Sequence, residues 1–131
     1  MEVDLNHFSV ANEYIIQVRG DASNRFLIYR KSDEKVGAFA LIGGSTILDV
    51  FTTTQQSGII KTALAYKSGD FAFYVDGVQV ATSTNTYTLS VDLNRIDIDS
   101  NANTENGFFK YNQAILFPTR LTNDQLQELT K

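Results

Sequence analysis

The chain has no cysteine and no tryptophan, one proline, one methionine and one histidine. Without cysteine there is no disulfide framework and no thiolate metal site, so stability has to come from packing. A lone histidine, His7, has no Ser, Cys or carboxylate at a recognisable spacing, and a nucleophilic triad therefore has no support. Net positive charge is also missing. Eleven Lys and Arg against fifteen Asp and Glu leave a formal charge of −4, and no local Lys/Arg cluster stands out, so a phosphate backbone is not an expected partner. Arg30, Lys31, Lys35 and Lys67 are scattered among acids and read as solvated faces.

Long apolar runs are absent as well. The longest, Val36 to Gly44, covers nine residues of which three are glycine, far short of the ~20 needed for a membrane-spanning helix. The opening Met1-Glu2-Val3-Asp4-Leu5-Asn6 has acids where a secretory leader carries bases, so no signal peptide is expected. Gly43-Gly44-Ser45-Thr46 lacks the spacing of a phosphate loop or a dinucleotide fingerprint and reads as a turn.

What is present is a β-forming composition, with nine Phe and six Tyr among 131 residues. Short runs rich in Val, Ile, Thr, Phe and Tyr alternate with Gly, Asn, Asp and Ser, the signature of a sandwich or barrel. The expected strands are Glu13–Arg19, Arg25–Lys31, Val36–Ile42, Thr46–Thr53, Ile59–Lys67, Phe71–Asp76, Val78–Thr82, Tyr87–Val91, Arg95–Asp99 and Gly107–Phe117. Period-2 alternation assigns faces: Ile60, Leu64 and Tyr66 share the core side opposite Lys61 and Lys67. Phe71, Phe73 and Val75 do the same opposite Tyr74, and Ile96 and Ile98 oppose Arg95, Asp97 and Asp99. Asp76-Gly77 between two such runs is a strong hairpin signal, which makes Ile59 to Thr82 a three-strand meander. At the end of the chain, Thr122 with Gln125 three residues later forms a capping box, and Leu121 and Leu126 are placed as a hydrophobic staple. Leu129 extends that face, so a short helix should dock on the sandwich. The expected fold is a single all-β domain over residues 1–131, an antiparallel two-sheet jelly-roll sandwich with a short C-terminal helix.

Ala63 to Thr82, including Tyr74-Val75-Asp76-Gly77-Val78-Gln79-Val80, resembles the central hairpins of the concanavalin A-like lectin/glucanase, or laminin G-like, superfamily, in the versions found in bacteriophage tail and fibre proteins. Leu93 to Ile98, and Asn106 to Thr130 with its Leu116-Phe117-Pro118-Thr119-Arg120-Leu121 corner, look like the closing pattern of such domains. The likeness covers about half the chain, mainly from Ile59 onward, and is architectural. It implies a first strand paired with the last, for which Leu5 to Val10 is the available segment. It also implies a virion component that recognises a glycan or packs against other virion proteins, including copies of itself.

No residue is expected to be catalytic or to hold a metal. Asp97 and Asp99 have the alternating spacing of a glucanase carboxylate pair, but the Trp-rich surroundings of those enzymes are missing. Asp99-Ser100-Asn101-Ala102-Asn103-Thr104-Glu105-Asn106 is the longest polar loop, and Asp99, Asn101, Asn103 and Asn106 offer groups for sugar hydroxyls. They also offer hard oxygen ligands of the kind Ca²⁺ takes, but no EF-hand spacing supports a cation, so no cofactor is expected; a solvated turn explains the same composition. Tyr14, Tyr29, Tyr74, Tyr87 and Tyr111 are the polar aromatics suited to stacking on sugars or to a subunit interface, and Tyr74 is singled out by its position opposite a core-facing set. A glycan-binding module, an oligomerisation or decoration domain without a sugar site, and a glycan-cleaving enzyme remain as readings, in that order.

Overall fold

The computed structural model describes residues 1–6, 11–98 and 109–131. Among these residues ten strands lie in chain order: β1 Glu2–Asp4, β2 Glu13–Asp21, β3 Asn24–Arg30, β4 Val36–Ile42, β5 Ser45–Phe51, β6 Ile59–Lys67, β7 Asp70–Val75, β8 Val78–Ser83, β9 Arg95–Ile98 and β10 Lys110–Gln113. One helix, α1 Asn123–Leu129, follows. The strands form two five-stranded sheets in the orders β10-β1-β6-β7-β8 and β5-β4-β3-β2-β9, with every described pairing antiparallel. The two sheets sandwich one main core built from the alternate residues that face inward. Phe71, Phe73 and Val75 meet Phe26 and Ile28 from the other sheet, with Val3, Ile15, Val36, Ala38, Ala40 and Ile60 filling between them.

The meander forms as its pattern dictates. Asp76 (φ 47°) and Gly77 (φ 76°) both take the left-handed conformation, which gives a two-residue turn the twist that antiparallel neighbours need. On the opposite face of β6 and β7 the side chains of Ala63, Ala65 and Ala72 are small, and α1 settles there through Leu126 with Leu121 and Tyr74. The helix starts where the capping box places it: Gln125 N–H donates to Thr122 Oγ1 at 3.2 Å and Thr122 N–H donates to Gln125 Oε1 at 2.9 Å.

Five expectations are corrected. The first strand is Glu2–Asp4 rather than Leu5 to Val10; it does pair with the last strand, β10, and with β6 on its other side. Leu5 only adds an N–H to Gly58 O at 2.8 Å, and residues 7–10 lie outside the described residues. Tyr87–Val91 is not a strand. Tyr87 N–H donates to Ser68 Oγ, whose hydroxyl donates back to Tyr87 O, and the Tyr87 hydroxyl donates to Tyr66 O. These bonds replace a ladder, while the ring packs on Phe26 and Phe71. The final strand is shorter than Gly107–Phe117, because residues 114–117 leave the ladder with Ile115, Leu116 and Phe117 exposed. Ile96 and Ile98, assigned to the interior, are 48% and 45% exposed, since β9 is an edge strand. Leu129 also stays exposed, so Leu126 alone carries the buried face of the helix.

Candidate ligand-binding face

The outer face of the second sheet carries an unusual set of side chains. Because Phe26 and Ile28 point into the core, Arg25, Leu27 and Tyr29 on β3 point outward, and the alternation carries across the ladder to Gly37, Phe39 and Leu41 on β4. The same register puts Asp49 and Phe51 of β5, Gln17 and Arg19 of β2, and Arg95 and Asp97 of β9 on that face. Tyr14 joins them opposite Tyr29, because the register shift between Tyr14 and Ile16 lets Ile15 and Ile16 both pack on the core side.

The aromatic part centres on Tyr29. Its ring is met edge-on by Tyr14 at 6.5 Å, Phe39 at 6.5 Å and Phe51 at 5.6 Å between centroids, the edge-to-face geometry aromatic quadrupoles favour. Gly37 makes this possible: a Cβ there would stand 2.5 Å from Phe51 Cδ1, so the ring lies across bare backbone. Tyr29 is buried, and its hydroxyl donates to Asp49 Oδ1 at 2.9 Å. Burial first, and then the carboxylate it bonds, push the phenol far above the usual tyrosine range, so it is a fixed donor at any working pH. Tyr14, Phe39 and Phe51 are half-buried and keep part of their rings accessible. Cations lie over two of them: Arg25 Cζ is 5.7 Å from the Tyr14 centroid and Lys31 Nζ 4.3 Å from that of Phe51.

The charged part lies beside it. Asp97 Oδ2 accepts from Arg19 Nε at 2.5 Å and Asp97 Oδ1 from Arg95 Nε at 2.8 Å. Burial works to raise the Asp97 carboxyl, but these two guanidinium groups outweigh it and hold it below the ordinary carboxylate range. A carboxylate kept ionised and doubly engaged is the opposite of a general acid, which needs a raised pKa.

Of the residues the sequence put forward, Tyr74 lies on the side opposite the core set, as the alternation requires, but that side is covered by α1. The ring is 4% exposed and packs with Leu126, and its hydroxyl accepts from Gln79 Nε2 at 2.8 Å. A ring so covered presents no face to a ligand, so Tyr74 is a helix-docking residue. Asp99, Asn101, Asn103 and Asn106 lie outside the described residues. Tyr14 and Tyr29 do come together, and Tyr87 and Tyr111 point inward to bond the carbonyls of Tyr66 and Ile15. The sequence missed the grouping of Arg19, Arg25 and Arg95. The only local sign is that Arg19 and Arg25 flank one hairpin turn. Among the described residues no cluster of three or more His, Cys, Asp or Glu can hold a metal. No helix among them is long and apolar enough to cross a membrane.

A cavity of about 650 Å³ also opens between the sheets beside β6, with Ile16, Val18, Phe26, Leu64, Tyr66 and Phe117 in its lining. Thr62, Lys67, Gln113, Thr119 and Arg120 add polar groups to that mostly apolar lining.

No family model matches the sequence, and no curated protein is detectably similar to it. Among solved structures, the carbohydrate-binding module CBM40 of the Ruminococcus gnavus IT-sialidase superposes with a TM-score of 0.69 at 13% identity, over 100% of this chain and 80% of that one. The chain therefore has the fold of a lectin-like β-sandwich that serves elsewhere as a carbohydrate-binding module.

Proposed function

We propose that this protein is a non-enzymatic carbohydrate-binding module whose binding surface is the outer face of the second sheet. The observation that carries this reading is the juxtaposition of half-buried Tyr14, Phe39 and Phe51 with Asp49, Arg25 and Lys31 on one face. Aromatic faces take the C–H surface of a pyranose, and charged groups at their margins take its hydroxyls. The fold shared with a carbohydrate-binding module supports the reading. It is tested by a glycan array followed by titration of the hits. Tyr14→Ala and Phe39→Ala should each weaken binding about tenfold, the cost of one good contact. Silence across the array, or hits indifferent to both substitutions, would refute it.

The setting we infer is a virion, in a tail or fibre protein that reads a surface glycan. This rests on the resemblance of Ala63 to Thr82 and Leu93 to Thr130, and adjacent tail or capsid genes would support it. A second reading, an oligomerisation or decoration domain, is favoured by the exposed Ile96, Ile98, Ile115, Leu116 and Phe117. It requires a symmetric oligomer by sedimentation that Phe117→Ser dissociates.

A further inference from the structure

We infer that Arg25, Arg19 and Arg95 form a receptor for the carboxylate group of an acidic sugar, an inference that rests on the carbohydrate-binding reading above. The three residues occupy one row of the second sheet: Arg19 pairs with Arg25 across β2 and β3 and with Arg95 across β2 and β9. With strands ~4.8 Å apart, the row spans about 10 Å. Like charges directly opposite across a ladder destabilise a sheet, and here the middle arginine has one on each side. The chain has more acids than bases, yet Asp97 is the one carboxylate that the described residues bring to these groups. Among the described residues, three positive charges against one negative leave the row at +2. An arrangement that costs folding free energy and that the described residues leave uncompensated points to a ligand that completes it.

The hydrogen bonding points the same way. Arg19 and Arg95 both engage Asp97 through Nε, which leaves the terminal nitrogens of both forks without a described partner. Arg25 has no ion pair among the described residues, and its Nε is buried with no hydrogen-bond partner. Its guanidinium lies over the Tyr14 ring, with Cζ 5.7 Å from the centroid, a contact that leaves its donors unused. A guanidinium fork matches the two coplanar oxygens of a carboxylate. The neighbouring rows supply the half-buried rings of Phe39 and Tyr14 as the surface on which the sugar ring lies, with Leu27 and Tyr29 buried between them. A polyphosphate backbone is a poorer fit, since its many charges would meet a protein of net charge −4.

The carboxylate can belong to a uronic acid or to a nonulosonic acid, so both are used as probes. Calorimetric titrations would compare trigalacturonate and N-acetylneuraminic acid with their methyl esters, in which only the charge is removed. At least one acid should bind about tenfold or more tightly than its ester, the scale of a charge-assisted pair. Arg25→Gln should remove that difference, bringing the acid down to the affinity of the ester for the same variant. Arg25→Lys, which keeps the charge but not the fork, should not restore it. In thermal melts Arg25→Lys should match the parent and Arg25→Gln should melt at or above it, because it relieves the repulsion with Arg19, which separates loss of binding from loss of fold. Acid and ester binding equally well, with Arg25→Gln without effect, would overturn the carboxylate site while the sugar reading stands. Binding confined to sulfated sugars of the array would also overturn it. An array silent for acidic and neutral glycans alike would remove both readings.

Discussion

Thr62 lies in the middle of β6 with its side chain 1% exposed, and its Oγ1 has no hydrogen-bond partner. Its backbone is fully used, because Thr62 N–H donates to Met1 O at 2.7 Å and the amino group of Met1 donates to Thr62 O at 2.9 Å. The hydroxyl thus carries a desolvation penalty with nothing to offset it, a cost of about 1–3 kcal/mol in mutational series. Thr62→Val keeps the shape and β-branching and deletes only that penalty, so it should stabilise the protein by about 1–2 kcal/mol. At roughly 2.1 cal/mol/K per residue, the 131-residue chain unfolds with an entropy of about 0.28 kcal/mol/K, and the expected rise in Tm is about 4–7 °C. Urea denaturation and calorimetry should agree on the sign. Thr62→Ser, which retains the hydroxyl and loses the methyl, should go the other way by about 1 kcal/mol. A Thr62→Val protein less stable than the parent by 1 kcal/mol or more would show that the hydroxyl is bonded in the folded state, and the reasoning would fail.

Leu126→Ala removes the one buried side chain of α1 from the Ala65, Ala72 and Tyr74 surface and should cost about 2–3 kcal/mol in urea melts. A loss under 0.5 kcal/mol would mean that the helix is not docked in solution. The pH dependence of stability should carry the signature of Asp97. Its folded pKa lies below the ordinary 3.8, so its contribution is present above that value and lost as pH falls through the lowered one. Asp97→Asn should therefore flatten the acid limb of a stability-against-pH curve, and a limb of unchanged slope would count against the paired carboxylate.

The strands flanking the best turn signals were the most legible. β6, β7 and β8 follow from alternation and from Asp76-Gly77, and Phe71, Phe73 and Val75 are the core residues that alternation selects. The helix was legible because its cap is purely local, involving Thr122 and Gln125. Misreadings arose where burial came without a partner strand. Tyr87 and Leu89 have the period of a strand because their side chains reach the core, but hydrogen bonds to Ser68 and Tyr66 hold Tyr87 in place. Ile96 and Ile98 alternate as core residues do, but their strand lies at the sheet edge, and position within a sheet is not a local property. Tyr74 was assigned to the correct side of β7. That this side is roofed by residues about fifty positions later is tertiary information. The arginine row was hidden for the same reason, since Arg95 reaches Arg19 through the register of β9 on β2.

The place of β1 has a consequence for the order of events in folding. Three residues, Glu2 to Asp4, sit inside the first sheet with β6 on one side and β10 on the other. Neither neighbour is near in sequence, so the opening segment of the chain can reach its position only after two long loops have closed. Until then β6 and β10 present raw edges across an empty slot one strand wide. Assembly of this sheet is thus expected to finish at β1, and its rate to be set by closure of that slot rather than by the meander, whose contacts are local and quick to form.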